Sequence, residues 1–270
     1  KLPYYLIMGK LINGMWQNDM SFDLDQGGAY ARPDSVYRDV VADDHNVFKP
    51  EPNRYHLYVS YACPWAHRVL IYREIKDLTS IVSVDVVHPD MLKNGWTFST
   101  DLDNTTSDTI HGFNYLYEVY QAANPNGSAR VTVPVLWDKK TRTIVNNESA
   151  DIIRIFNIAF NDLTGNTINL YPDHLQHDIN QINQRIYSSV NNGVYKAGFA
   201  TTQHAYNTAV QPLFQELTQL NDHLASTNYL VGNQLTEADI RLIPTLILFD
   251  CVYHTHFKCN QRMIREYPNL

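Results

Sequence analysis

Three cysteines among 270 residues, Cys63, Cys251 and Cys259, are too few and too unevenly spaced to staple a fold, which fits a reducing compartment. Long apolar runs are missing as well. The longest, Leu242 to Phe249, is interrupted by Pro244 and Thr245 and falls well short of the roughly 20 residues a membrane-spanning helix needs. Positive charge is in deficit: 21 Lys and Arg stand against 28 Asp and Glu, for a formal net charge of -7. No stretch concentrates enough Lys and Arg to follow a phosphate backbone, so nucleic acid is not an expected partner. The opening Lys1-Leu-Pro-Tyr-Tyr-Leu-Ile7 lacks the charged start, apolar core and cleavage site of a signal peptide, and Met8-Gly9-Lys10 reads as the natural start of the chain. With 44% hydrophobic and 18% charged residues, the composition is that of a folded globular protein, long enough for two domains, and the expected compartment is the cytoplasm.

Residues 8 to 54 read as irregular, punctuated by Gly27-Gly28, Pro33, Asp43-Asp44, Pro50 and Pro52. At Tyr55 the pattern changes. Tyr55-His-Leu-Tyr-Val-Ser60 alternates as a strand, Pro64 sits where the first turn of a helix tolerates proline, and Trp65 to Lys76 has helical apolar spacing. A second strand at Ile81 to Val87 completes a β-α-β unit, which implies a parallel pair with a right-handed crossover. Val131 to Trp137 and Thr143 to Val145 then form a strand-turn-strand, and Asp151 to Phe160 reads as a helix covering one sheet face. Beyond Gly165 the strands stop. Segments 174–190, 204–226, 236–250 and about 260 onward read as helices, with Gly193, Gly198 and Gly232 between them. The expected organisation is an N-terminal extension over 1–54, an α/β domain over 55–165 and an all-α domain over 166–270.

The sharpest chemical feature is Tyr58-Val-Ser-Tyr-Ala-Cys-Pro-Trp-Ala-His-Arg68, which puts Cys63 between a strand end and the first turn of a helix. Free N–H groups and the positive end of the helix dipole favour an anion there, so this thiol should ionise more readily than an ordinary cysteine, with Arg68 adding to the field. Ala66 occupies the position where a dithiol motif would carry its second cysteine. Cys63 is therefore a monothiol centre, and a mixed disulfide formed on it needs an external thiol for release, for which glutathione is the natural candidate. Val133-Pro134 has the look of a cis-proline turn entering a strand. Glu148-Ser149 starts the next helix, where a hydroxyl and free N–H groups can hold a carboxylate or simply cap. Thr236-x-x-Asp239 is a capping box. His254, His256 and Cys259 have donor spacing but no evident fourth ligand, so no metal site is expected. His67, one helical turn beyond Cys63, reads as packing rather than as its general base.

Taken together, Cys63-Pro-Trp-Ala-His-Arg68, Asn94-Gly-Trp-Thr-Phe98, Arg130-Val-Thr-Val-Pro134, Asn147-Glu-Ser-Ala150, Asn191-Asn-Gly-Val-Tyr-Lys-Ala-Gly-Phe199, Gly232-Asn-Gln-Leu-Thr-Glu-Ala-Asp-Ile240 and His256-Phe-Lys-Cys-Asn260 resemble the glutathionyl-hydroquinone reductases, the Xi class of glutathione transferases. The resemblance covers nearly the whole chain after Met8. It implies an α/β thioredoxin-like N-terminal domain followed by an all-α domain, with glutathione as co-substrate, no metal, and a homodimer. Carried over by position, it makes Cys63 the nucleophile, packs Trp96 on glutathione and pairs Arg130 with one of its carboxylates. Val133 then offers backbone hydrogen bonds to the cysteinyl part, and Glu148 and Ser149 hold the γ-glutamyl end. Tyr195 and Tyr253 are expected to face the hydroquinone. Cys251 departs from the family, which more often has proline there, and relatives continue past Leu270, so residues supplied by such a tail lie beyond this sequence. The implied reaction is reductive cleavage of glutathionyl-hydroquinones. An omega-like thiol transferase or dehydroascorbate reductase using the same Cys63 is the alternative, and a non-catalytic ligand- or partner-binding module the remote one.

Overall fold

The computed structural model describes residues 7–21 and 23–270. Most of the stretch read as preceding the natural start, residues 1–6, lies outside the described residues. The chain folds as two units: Asp34–Ile168 joined by the N-terminal hairpin, and Asn169–Leu270 joined by residues 23–33. The N-terminal extension thus divides between them.

That extension is not wholly irregular. Strands β1 (Ile7–Ile12) and β2 (Met15–Ser21) pair antiparallel around Asn13-Gly14. Both turn residues have positive φ, 49° and 75°, as a two-residue hairpin turn requires. Asn-Gly is the strongest short-range hairpin signal, and it stood in the sequence. A side chain at Gly14 would also collide with the Pro125 carbonyl at 1.8 Å.

The first unit continues with β3 (Tyr55–Val59), α1 (Pro64–Ile75), β4 (Ser83–Val86), α2 (Leu116–Ala123), β5 (Val135–Asp138), β6 (Thr143–Asn146), α3 (Ser149–Ile158) and the single turn α4 (Asn161–Thr164). The sheet runs β4-β3-β5-β6, with β3 parallel to β4 and antiparallel to β5, and β5 antiparallel to β6. This is the thioredoxin-like arrangement. All five β3 residues are buried, so both sheet faces are covered, and Leu57, Val69, Tyr72, Trp137, Ile152 and Phe156 are all fully buried. Helix α2, capped by Glu118 accepting from the Asn114 and Tyr115 N–H groups at 2.9 Å each, is another element the sequence pattern did not single out. Strand β5 begins after Pro134, which has no N–H to give a ladder.

The register decides where the site lies. Val59 faces Val86 at the parallel pair's end, Tyr58 faces Val135, and Leu136 faces Asn146. The residues just after β3, just before β5 and just after β6 therefore converge on one end of the sheet, as does the loop leaving β4.

The second unit is helical: α5 (Gln176–Ile186), α6 (Gly193–Phe199), α7 (Gln203–Leu224) and α8 (Glu237–Leu248). Its core includes Ile179, Ile186, Val194, Leu213, Leu217, Leu242 and Phe249. The Thr236 box forms: Asp239 accepts from the Thr236 N–H (2.8 Å), the Thr236 O–H (3.0 Å) and the Leu230 N–H (2.8 Å). Two expectations need correction. Gly193 opens α6 and Gly198 lies inside it, rather than between helices; at Gly198 close packing requires glycine, since a Cβ there would sit 2.2 Å from the Phe257 ring. Residues from 260 onward hold only one tight turn, Ile264–Glu266, since Pro268 restricts Tyr267 to extended backbone. No described helix is long and apolar enough to cross a membrane.

Candidate active site

Cys63 is the N-cap residue of α1, with extended backbone (φ -101°, ψ 113°) and Pro64 at the first helical position. Its N–H is held by the Ser60 carbonyl at 3.1 Å, and its own carbonyl receives the His67 N–H at 3.0 Å. The thiol is buried at 9% exposure, and Sγ donates to the Val133 carbonyl at 3.4 Å. The Val133-Pro134 bond is cis. Arg68 is fully buried in the next turn, with its guanidinium carbon 4.8 Å from the Trp65 ring centroid. Burial holds the His67 imidazole below its ordinary pKa, so it stays neutral at pH 7.

Glu148 and Ser149 stand at the start of α3, at the same end of the sheet. Glu148 is the N-cap; its Oε1 accepts from the Ala150 N–H at 3.0 Å and the Ser149 hydroxyl at 3.4 Å, and its Oε2 accepts from the Ser35 hydroxyl at 3.0 Å. The segment carrying Ser35 runs beside β6, exchanging backbone bonds with it: Asp39 N–H to Val145 O at 3.0 Å and Asn147 N–H to Tyr37 O at 3.1 Å.

Sequence reasoning passed over the residues that tie these pieces together. Tyr120, on α2, donates its hydroxyl to the Thr132 carbonyl at 2.9 Å and accepts from Asn147 Nδ2 at 3.1 Å. One buried phenol thereby joins the loop carrying Arg130 and Val133 to the turn carrying Glu148. Asn147 Oδ1 accepts the Tyr37 N–H at 3.1 Å, so this side chain clamps three segments. The hairpin does the same for Trp96 and Arg130. Trp16 stacks on Tyr117 with centroids 4.9 Å apart, donates to the Lys93 carbonyl at 3.4 Å, and lies within about van der Waals reach of Gly95. Leu11 and Ala129 exchange two backbone hydrogen bonds at 2.9 and 3.1 Å, one residue before Arg130. Trp96 and Arg130 are both partly exposed on these braced loops.

In the helical unit, Tyr195 and Tyr253 come together: their hydroxyls are 3.1 Å apart and their rings meet edge to face at 5.7 Å. Phe199 and Phe257 complete the aromatic cluster. Cys259 is fully buried, and its burial pushes the thiol up to about 12, which leaves it protonated and unreactive. Cys251 is exposed. Among the described residues, no group of three or more His, Cys, Asp or Glu side chains is arranged to hold a metal ion.

A thioredoxin-like sheet with a cysteine capping its first helix, followed by an all-helical unit, defines the glutathione transferase class of architecture. Residues 62–157 match the glutathione S-transferase N-terminal domain and residues 203–270 its C-terminal domain. The glutathionyl-hydroquinone reductase PcpF of Sphingobium chlorophenolicum is 50% identical over 263 residues, which cover 97% of this chain and 83% of that protein. The crystal structure of glutathione S-transferase Xi from Phanerochaete chrysosporium superposes with a TM-score of 0.89 at 48% identity, covering 92% of this chain and 80% of that one. The glutathione-bound structure of YqjG, a glutathione transferase homolog from Escherichia coli K-12, gives 0.88 at 49% identity, with 97% and 81% covered. The chain belongs to the glutathione transferase family, in its Xi class of glutathionyl-hydroquinone reductases.

Proposed function

We propose that this protein cleaves glutathionyl-hydroquinones reductively through Cys63. The thiolate of Cys63 attacks the glutathionyl sulfur of the substrate's keto tautomer, in which a ring hydroxyl proton has moved to the sulfur-bearing carbon; a sulfur–sulfur bond forms, the sulfur–carbon bond breaks, and its electron pair passes through the ring to the oxygen, which takes up a proton to give the hydroquinone. A second glutathione, as thiolate, attacks the mixed disulfide, releasing oxidised glutathione and restoring Cys63. The substrate's carbon–sulfur bond is reduced while two glutathione sulfurs are oxidised to a disulfide.

The observation that carries this reading is the placing of Cys63 Sγ at the start of α1 and 3.4 Å from the Val133 carbonyl. The helix N-terminus favours the thiolate. Glutathione is the co-substrate: in this reading Val133 bonds its cysteinyl backbone as a strand edge does, Glu148 and Ser149 hold its γ-glutamyl end, Arg130 pairs with a carboxylate and Trp96 packs along it. Tyr195 and Tyr253 offer O–H groups to the hydroquinone oxygens, where negative charge builds as the bond breaks. Residues 55–165 serve as the glutathione-binding domain and 166–270 as the helical domain. The sparse cysteines suit the cytoplasm, where glutathione is kept reduced, and the family resemblance supports a homodimer, which sedimentation velocity measures directly.

The test is hydroquinone release from a glutathionyl-hydroquinone with added glutathione, for the natural chain and for Cys63→Ala. Release should vanish in the variant, and mass spectrometry of the natural chain, sampled with substrate but no free glutathione, should find glutathione on Cys63. A protein that releases no hydroquinone yet rapidly reduces a small mixed disulfide would be an omega-like thiol transferase instead. One that does neither would be a binding module.

A further inference from the structure

Residues 23–33 belong to the helical unit and place their one cation, Arg32, over the Tyr195 ring. Asp25 Oδ1 accepts from the Gly27 and Ala29 N–H groups at 2.8 Å each, shaping a turn. Gly28 has φ +80°, and a Cβ there would lie 2.4 Å from the Thr201 hydroxyl, so the backbone comes in close. The Gly28 carbonyl accepts from the Thr201 N–H (3.0 Å) and hydroxyl (3.2 Å), and the Gly27 carbonyl accepts from the Thr202 hydroxyl at 2.8 Å. Tyr30 is buried edge-on against Phe199 at 5.2 Å. Two residues on, the Arg32 guanidinium carbon lies 4.8 Å from the Tyr195 ring centroid, and Arg32 Nε donates to Asn192 Oδ1 at 2.8 Å. Asn192 is itself buried, at the head of α6, three residues before Tyr195.

We propose that Arg32 is a positioning residue of the hydroquinone side of the reaction: pinned by Asn192, its guanidinium covers the Tyr195 ring, fixes that ring against Tyr253 and favours negative charge on the hydroxyl pair. The proposal rests on the reading of Tyr195 and Tyr253 given above. A cation over an aromatic face is attracted by the ring and draws electron density from it, which strengthens the phenol O–H as a donor. A donor so strengthened matters in the transition state, where the leaving ring carries charge, and much less in the ground state. Attack on a small mixed disulfide expels a thiolate and has no use for it.

The experiment compares Arg32→Met and Arg32→Lys with Tyr195→Phe, using glutathionyl-hydroquinone, its chlorinated analogue and a small glutathione mixed disulfide as substrates. Arg32→Met should lower kcat for the unsubstituted thioether about tenfold with KM little changed. The loss should be smaller for the chlorinated ring, whose leaving group needs less help. Mixed-disulfide reduction should stay at the natural rate, and Arg32→Lys should recover part of the loss. If Arg32→Met cleaves both thioethers at the natural rate while Tyr195→Phe does not, Arg32 has no such role and the tyrosine reading stands. Equal losses on all three substrates would reduce Arg32 to a structural residue and overturn the proposal. If Tyr195→Phe is also neutral, the tyrosine reading itself falls and takes the proposal with it.

Discussion

Cys63 and Cys259 are both buried, yet only one has the surroundings of a reactive thiol. Cys259 lies in the helical core with its Sγ toward the Val194 and Phe257 carbonyls, and desolvation keeps it protonated. Cys63 caps a helix. Alkylation with iodoacetamide at neutral pH, followed by peptide mapping, should therefore modify Cys63 first and exposed Cys251 more slowly, and should reach Cys259 only after unfolding. Labelling of Cys259 in the folded protein would contradict its burial. Asn147 offers a second test at this scale, since its amide holds the Tyr37 N–H and the Tyr120 hydroxyl inside the protein. Asn147→Ala leaves the Tyr37 N–H without this acceptor and removes one donor from the Tyr120 oxygen, and should cost about 1–3 kcal/mol in urea unfolding. It should also weaken binding of S-methylglutathione, measured by calorimetry, because the turn bearing Glu148 loses its tie to the loop bearing Val133.

At the scale of elements, the hairpin β1-β2 and the segment 34–48 act as braces rather than as coverings. The first holds the loops of Trp96 and Arg130; the second supplies Ser35 to Glu148 and, with Val41 and Phe48 buried, packs into the first unit. Helix α6 depends on Gly198. Gly198→Ala would push a methyl group into Phe257, whose ring also contacts Tyr195 and Tyr253, and should destabilise the protein by about 1–3 kcal/mol while disturbing that aromatic cluster. A melting temperature equal to that of the natural chain would show that Phe257 can move aside freely. The start of α8 depends on Asp239, the shared acceptor of three buried donors. Asp239→Ala should cost more than an ordinary exposed cap, whose loss is about 1 kcal/mol.

For the whole molecule, buried titratable groups set how stability follows pH. Burial holds His111 and His67 below the usual 6.5, so below that pH the unfolded chain takes up protons the folded chain refuses, and stability falls. Asp85 and Asp138 behave differently at lower pH. Burial pushes both up, but hydrogen bonds from His56 and Thr109 to Asp85, and from Arg54 and Thr141 to Asp138, outweigh it and hold both below the usual 3.8. Their contribution is full above that value and is lost as pH falls through their lower folded values. Scanning calorimetry should give a melting temperature lower at pH 5 than at pH 7, with a further steep drop below about pH 4. A melting temperature unchanged between pH 7 and pH 5 would mean that neither buried histidine resists protonation.

Local sequence determined the strands and helices whose periodicity is strong, the capping box at Thr236, and the position of Cys63 at a helix start. These follow from interactions among residues close along the chain, where propensity and dipole act without help. Tertiary structure decided the rest. The register of β3 with β5, and of β5 with β6, brings Cys63, Val133 and Glu148 to one end of the sheet, although they lie far apart in the chain. The contacts of Tyr120, Asn147, Ser35 and Arg32 are with partners remote in sequence, which no local pattern encodes. Gly193 and Gly198 look locally like helix breaks. Only the approach of Phe257 shows that the side chain missing at Gly198 makes room for packing, whose benefit outweighs the helix propensity lost.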